Sequence, residues 1–209
     1  ISYGDASLEE GGGFAKGLFW WHVEWPEEIK SLTLKNITIT RRCKMSLELV
    51  SINLLEFVVE IVNYAAITEL LRSKMISCKQ PYPMLINWTD NKTAKAWLRK
   101  AASRTIKGIG LQRILCGMMI NNPVFIKAEY IEGHKNTLAD AISRVFSSST
   151  LFNSFDTLHQ EFPQIRTWKR FHPSQELLSA LYLALLKGLD RGIEPLNNLG
   201  HFEQGNITS

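Results

Sequence analysis

The stretch that decides the fold is Met84-Leu85-Ile86-Asn87-Trp88-Thr89-Asp90-Asn91. Its apolar residues form a run of strand length that stops at Thr89-Asp90-Asn91, and helix-forming residues follow directly over residues 92–102. The pattern therefore predicts a strand that leads into a helix. Asp90 would lie at the junction, where a carboxylate can point into a cleft shared with other elements.

Further elements are predicted on both sides of this unit. Residues 1–7, 14–23 and 32–45 have the composition of strands, and Gly11-Gly12-Gly13 predicts a turn between the first two. Residues 52–72 are apolar on most sides, which predicts a long buried helix with Asn53 in position to cap it. Helices over residues 109–120 and 136–146 and a strand over 124–131 follow. This order predicts an α/β fold with a mixed sheet flanked by helices.

The composition changes after residue 146. Ser147-Ser148-Ser149-Thr150 reads as a linker, so we divide the chain into a domain over residues 1–146 and a mainly helical extension over 147–209. One amphipathic helix is predicted over 174–187, and residues beyond about 190 read as a tail. An aromatic and apolar series in the extension is predicted to pack back onto the domain, the alternative being that it holds a partner: Phe155, Leu158, Phe162, Trp168 and Phe171.

Charge and cysteine content limit the classes of function. The net charge of +4 is compatible with a polyanionic partner, although it is also common in proteins that bind no nucleic acid. Cys43, Cys78 and Cys116 form no C-x-x-C pair, so neither a zinc site nor a disulfide framework is indicated, and an intracellular setting, cytoplasmic or nuclear, is expected. No signal peptide is predicted. Polar residues interrupt the most apolar stretch, so no membrane partner is expected.

Four acidic residues stand in different local settings. Asp5 lies in the first predicted strand, Glu56 in the long helix, Asp90 at the strand-helix junction and Asp140 in the last helix of the domain. Converging carboxylates repel one another unless cations intervene. Mg²⁺ favours oxygen ligands, and two such ions can clamp the attacking and leaving oxygens of a phosphodiester. The four acids therefore predict a two-metal nuclease site.

The segment Ile131-Glu132-Gly133-His134-Lys135-Asn136-Thr137-Leu138-Ala139-Asp140-Ala141-Ile142-Ser143-Arg144 resembles a family pattern, G-x-x-N-x-x-A-D-x-[LI]-S-R. The pattern belongs to the ribonuclease H domains of retroelement reverse transcriptases, most like fungal long-terminal-repeat or DIRS-type elements. Asp5-Ala6-Ser7 and Thr89-Asp90-Asn91 resemble the first and fourth strands of that family. The resemblance covers residues 1–146 and implies a ribonuclease-H-like mixed five-stranded sheet. It also implies Mg²⁺, with Mn²⁺ as the alternative, held by Asp5, Glu56, Asp90 and Asp140.

Two site assignments stay open. Glu56-Phe57-Val58-Val59-Glu60-Ile61-Val62 matches the family's E-L-x-A-I-V best at Glu56, but Glu60 lies one helical turn later and Glu48 lies just upstream. His134 lies six residues before Asp140, whereas cellular ribonucleases H carry a catalytic-loop histidine somewhat further upstream. His134 is therefore a candidate for assisting proton transfer or product release, weighed against an ordinary loop histidine.

A basic stripe lies next to the predicted metals. Lys92, Lys95 and Arg99 recur at i, i+3 and i+7, so they share one helix face, which begins beside Asn91. Asn91 and these three basic residues are candidates for binding nucleic acid, the alternative for the basic stripe being a solvated helix face. Three aromatic residues of the amino-terminal region are assigned to a core or an interface rather than to base stacking: Trp20, Trp21 and Trp25.

The resemblance implies an Mg²⁺-dependent endonuclease that hydrolyses the RNA strand of RNA-DNA hybrids, which it would read by shape and 2′-hydroxyl contacts. Its partner would be the polymerase domain of the same polyprotein. A different function is a catalytically idle ribonuclease-H-like module that binds nucleic acid or protein. A third is an integrase or recombinase fragment of the same broad fold, and the Ala139-Asp140-Ala141-Ile142-Ser143-Arg144 ending favours ribonuclease H over it.

Overall fold

The computed structural model describes residues 1–39, 49–77, 83–122, 124–146, 154–188 and 196–203. Within these ranges the chain is an α/β fold in which helices flank a seven-stranded mixed sheet. The strands are β1 (Ser2–Ala6), β2 (Glu10–Ala15), β3 (Phe19–Glu24), β4 (Met84–Thr89), β5 (Phe125–Tyr130), β6 (Lys169–Pro173) and β7 (Gly200–Phe202). The helices are α1 (Glu27–Ile39), α2 (Ile52–Arg72), α3 (Lys92–Lys100), α4 (Ile106–Asn121), α5 (Thr137–Ile142), α6 (Phe155–Glu161) and α7 (Gln175–Lys187).

The strand order is β5-β4-β1-β2-β3-β6-β7. β1, β2 and β3 pair antiparallel in succession, while β4 lies parallel to β1 and β5 lies parallel to β4. On the other side β6 is parallel to β3, and β7 is antiparallel to β6. Because β1 and β4 are parallel neighbours, their carboxyl ends meet at one edge of the sheet. Asp5 and Asp90 therefore approach each other.

The sheet has more strands than predicted. β1 to β5 form a contiguous five-stranded part, and the carboxy-terminal segment adds β6 and β7, so the predicted count of five strands is wrong. The described part of the extension is mainly helical, as predicted, but it also supplies these two strands. β7 also lies where the sequence predicted a tail. Both strands are short and polar, and long-range packing holds them: the rings of Phe171 and Phe202 are 5.0 Å apart. Local patterns do not reveal strands of this kind.

The amino-terminal strands differ from the prediction in position. The three glycines at 11–13 lie inside β2 rather than in a turn, and neighbouring atoms leave no room there for a Cβ. A Cβ at Gly11 would lie 2.5 Å from the Trp25 ring, for example. The predicted strand over 32–45 is also wrong where the structure describes it, since α1 occupies residues 27–39; residues 40–45 lie outside the described ranges. Pro26 precedes α1, and two acidic residues fill its first turn, as helix starts favour.

The core confirms several predictions. α2 covers residues 52–72 as predicted, and most of its residues are buried against the sheet. Trp20, Trp21 and Trp25 are at most 4% exposed, so they belong to the core. Trp21 Nε1 donates a hydrogen bond to Asn63 Oδ1 at 2.8 Å.

The extension packs back onto the domain, as predicted. Leu158 and Phe171 are buried in two separate clusters of the core, and the other three members of the aromatic and apolar series pack against the cluster of Leu158, which includes Trp20 of β3. α7 begins at Ser174, whose hydroxyl caps the Leu177 N–H at 3.0 Å, and it ends at Gly188. The predicted linker over 147–150 lies outside the described ranges.

No helix in the described part of the chain has the length and apolar character that a membrane crossing requires. Cys116 carries a free thiol, and Cys43 and Cys78 lie outside the described residues.

The cap predicted for α2 is wrong: the helix starts after Ser51, and Asn53 Oδ1 instead accepts a hydrogen bond from Asn91 Nδ2 at 2.9 Å. That bond ties the first turn of α2 to the start of α3.

Candidate metal centre

Three carboxylates converge at the edge of the sheet where β1 and β4 end. One oxygen from each of Asp5, Glu56 and Asp90 lies within 4.8 Å of the other two. Asp5 and Glu56 are 5% and 4% exposed, and Asp90 is half-buried. The structure thus brings together three of the four acids that the sequence singled out.

The turn that carries Asp90 is fixed by its neighbours. Thr89 Oγ1 accepts a hydrogen bond from the Asn91 N–H at 3.1 Å. Asn91 Oδ1 in turn accepts from the N–H groups of Thr93 and Ala94, both at 2.9 Å, which makes Asn91 the N-cap of α3. Asn91 was a candidate for binding nucleic acid, and its side chain is used within the protein.

The position of Asp5 depends on α5. Ser143 Oγ donates a hydrogen bond to Asp5 Oδ2 at 2.5 Å, and Asn136 Nδ2 donates to the carbonyl of Gly4 at 2.9 Å. Both donors belong to the segment that resembles the family pattern. Burial raises the pKa of Asp5 to about 6, the Ser143 hydrogen bond opposes the rise, and the charges of Asp90 and Asp140 add to it.

The other two acids are also costly to ionise. Burial raises the pKa of Glu56 well above its ordinary value, and the charges of Asp5 and Asp90 raise it further. Burial likewise raises the pKa of Asp90. Glu56 Oε2 is buried, and the described residues give it no hydrogen-bond partner. A divalent cation would satisfy this oxygen and relieve the repulsion, and the oxygen-only ligand set suits Mg²⁺.

Asp140 differs from the other three acids. Its side chain is 51% exposed, and it lies outside the group of three that could share one cation. Asp140 Oδ1 accepts a hydrogen bond from Arg144 Nε at 2.6 Å. Burial opposes the charged form of Arg144, but Asp140, Asp5 and Asp90 together raise its pKa.

Of the alternatives for the second acid, the geometry favours Glu56. Glu60 is fully buried, hydrogen-bonded by Asn87 Nδ2, and outside the three-acid group. Glu48 lies outside the described residues. Burial raises the pKa of Glu60 from 4.5 to about 8, so Glu60 is a neutral acid at pH 7. It is a buried structural group one turn from Glu56.

Glu60→Gln is expected to raise the free energy of unfolding at pH 8 and to change it little at pH 4. A carboxyl whose pKa is raised on folding contributes stability that is fully present below pH 4.5 and is lost as the pH rises to about 8. The loss is on the order of 4 kcal/mol, and the amide avoids it. Urea unfolding at both pH values in EDTA measures the difference. Glu161→Gln, on the exposed end of α6, is the matched control, and parallel pH curves for wild type and Glu60→Gln would contradict the prediction.

The basic stripe on α3 is partly neutralised. Lys92 Nζ lies 5.2 Å from the centre of the Tyr130 ring, and Lys95 Nζ lies 3.2 Å from Glu129 Oε2. Arg99 is exposed near the end of the helix. Lys92 and Arg99 therefore remain the better placed of the three for an external phosphate.

His134 lies on an exposed turn beside Asp90. It belongs to the 3₁₀ turn Gly133–Lys135, and its Nε2 is 3.4 Å from Glu132 Oε2. A Cβ at Gly133 would lie 2.9 Å from Asp90 Oδ2, so the backbone of this turn lies against the acid. His134 is close to the site in the chain but is 74% exposed.

Sequence reasoning missed two contributors to the site, Ser143 and Arg144. Ser143 fixes Asp5 by a hydrogen bond, and Arg144 pairs with Asp140. The signal that could have found them was present, since the family pattern itself ends in Ser-Arg, three and four residues after the acid. A motif of this kind carries positioning residues as well as ligands.

Comparisons with models of protein families, with curated proteins and with solved structures gave no match to this chain. The resemblance to ribonuclease H domains therefore rests on the residues quoted for it, and the fold is compatible with it.

Proposed function

We propose that this chain is a divalent-metal-dependent endonuclease that hydrolyses the RNA strand of RNA-DNA hybrids. The observation that carries the proposal is the convergence of Asp5, Glu56 and Asp90, two of them buried, at one edge of the sheet. Such a group lowers the stability of the folded protein unless it binds a cation, because burial raises the pKa of all three carboxyl groups. The resemblance of residues 131–144 to the ribonuclease H pattern adds the substrate class.

Each acid has a role in this proposal. Asp5, Glu56 and Asp90 would hold Mg²⁺ or Mn²⁺, and Asp140 would contribute from α5. A cation held there supplies a polarised water and stabilises charge on the phosphodiester oxygens. Ser143 donates a hydrogen bond to Asp5 Oδ2 and so fixes the orientation of the Asp5 carboxyl group. Asn91 keeps Asp90 in place by fixing the turn that carries it.

The basic surface beside the site favours binding of a polyanionic substrate. Lys92 and Arg99 are exposed on α3, whose first residue follows the Asp90 turn. Contacts of this kind neutralise phosphates and make affinity fall as salt rises. They carry no base preference, which suits a hybrid recognised by its shape. The polymerase domain of a longer polyprotein is the partner that this proposal implies.

The first test is cleavage of a labelled RNA-DNA hybrid in Mg²⁺ or Mn²⁺, with Asp90→Asn alongside. We expect wild type to cut the RNA strand only when a divalent cation is present, and Asp90→Asn to fold normally and not to cut. Wild-type activity in Asp90→Asn would contradict the assignment of the site.

Substrate controls separate the alternatives. An all-DNA duplex of the same sequence should remain intact, and cutting of that duplex would favour the integrase or recombinase class. Binding of the hybrid without cutting, by folded wild type in either cation, would favour an idle binding module instead. Circular dichroism of both proteins establishes that they are folded.

A further inference from the structure

Arg144 interacts electrostatically with three of the four acids, Asp140, Asp5 and Asp90, and its position bears on how many cations the free protein can hold. The question rests on the proposed function, because it concerns the same site. Asp5, Glu56 and Asp90 form a group that one cation can satisfy. Asp140 stands apart from that group and has a guanidinium on its Oδ1 at 2.6 Å.

A second cation would need Asp140 as a ligand. Asp140 is the one acid of the predicted set outside the group that would hold the first cation. Arg144 already supplies positive charge at this place: its Nε is bonded to Asp140, and its charge also interacts with Asp5 and Asp90. A divalent ion would have to displace the guanidinium or lie beside it, and both are unfavourable.

Both residues that make these contacts come from the end of α5. Ser143 holds Asp5 and Arg144 holds Asp140, so consecutive residues contact two of the four acids. The Asn136 side chain anchors the start of the same segment to the Gly4 carbonyl at 2.9 Å. The Phe146 N–H anchors its end to the Glu10 carboxylate at 3.0 Å. Arg144 therefore projects from a segment that is fixed at both ends.

We propose that the free protein binds one divalent cation at Asp5, Glu56 and Asp90, and that Arg144 closes the second cation position by holding Asp140. The second cation binds when a competing anion draws the guanidinium away from Asp140. A phosphate of the bound nucleic acid is the anion of matching chemistry, because a guanidinium pairs with phosphate as readily as with carboxylate. Arg144 is then a positioning residue that couples substrate arrival to completion of the metal site.

The test is a Mn²⁺ titration of the protein without nucleic acid, with free Mn²⁺ followed by electron paramagnetic resonance. Wild type should bind one Mn²⁺ per chain in the first binding phase. Arg144→Gln should bind a second, with affinity about tenfold or more above any second binding by wild type. Arg113→Gln removes the same charge from the exposed face of α4 and should behave as wild type. Adding Asp140→Asn to Arg144→Gln should remove the second Mn²⁺.

The outcomes separate this inference from the proposed function. Two Mn²⁺ of similar affinity in wild type, or one in Arg144→Gln, overturn the role of Arg144 whatever the cleavage assay gives. One Mn²⁺ in wild type and two in Arg144→Gln support it, even if neither protein cuts a hybrid and the nuclease proposal fails. No Mn²⁺ binding by folded wild type overturns both.

Discussion

Glu56→Gln is expected to abolish metal-dependent cleavage of an RNA-DNA hybrid, with a loss of kcat/KM of at least about 1,000-fold, or ~4 kcal/mol. Glu56 approaches the site from α2, and its Oε2 is a buried oxygen to which the described residues donate no hydrogen bond. An amide there keeps the shape of the side chain but removes the charge that would hold a cation. The measurement is the rate of cleavage in Mg²⁺ under single-turnover conditions.

Glu60→Gln is the matched control, because the same chemical change is made one turn later on the same helix. Glu60 is buried, neutral at pH 7 and outside the three-acid group, so cleavage should remain close to that of wild type. If Glu60→Gln loses activity and Glu56→Gln keeps it, the second acid is Glu60 and the alignment with the family pattern shifts by one turn.

Thermal unfolding gives a second readout for Glu56→Gln that does not depend on activity. In EDTA this variant should unfold at a higher temperature than wild type, since burial and the charges of Asp5 and Asp90 make the carboxylate unfavourable. Mg²⁺ should raise the Tm of wild type because it binds only the folded state, and it should leave the variant unchanged. A binding site that lowers the stability of the folded protein when its ligand is absent is expected, because function and stability place different demands on the same residues.

The parts of the fold that the sequence predicted are those with strong local signals. The strand-helix unit around Asp90, the long helix α2 and the capped helix α7 each carry their pattern within one stretch of chain. The errors occur where distant residues decide. β6 exists because Lys169 and Arg170 pair with Phe19 and Trp20, and no pattern within β6 indicates that pairing.

The site follows the same division. Asp5, Glu56 and Asp90 could be singled out because each stands at the end or start of a recognisable element. The contact of Arg144 with Asp140 is local, four residues apart, and the motif marks both residues. The sequence alone does not give the interaction of Arg144 with Asp5 and Asp90, because that depends on how α5 packs against β1 and β2. Gly11-Gly12-Gly13 misled the prediction for a related reason. Three glycines indicate a turn locally, whereas here neighbouring atoms, several of them in helices packed on the sheet, leave no room for a Cβ at any of the three.

Gly12→Ala is expected to lower the free energy of unfolding by on the order of 3 kcal/mol and the Tm by roughly 6 to 12 °C. A Cβ at this position would overlap Ile142 Cγ2 and would lie 3.0 Å from the backbone carbonyl carbon of Ile142. Rotating a side chain cannot relieve a clash with backbone, so α5 must move away from the sheet. Urea and thermal unfolding of both proteins measure the loss.

The same movement should weaken the metal site, and this separates Gly12→Ala from an ordinary destabilising change. Gly12 pairs with Asp5 across β1 and β2, and Ser143, which fixes Asp5, follows Ile142 directly. We therefore expect Mn²⁺ affinity to fall in Gly12→Ala under conditions where the protein is fully folded. Gly17→Ala is the control: its Cβ would meet no atom within 4 Å, and its positive φ of 75° costs about 1 kcal/mol. Gly17→Ala should lose that stability and keep its Mn²⁺ affinity, whereas equal affinity in both variants would show that α5 can shift without moving Asp5.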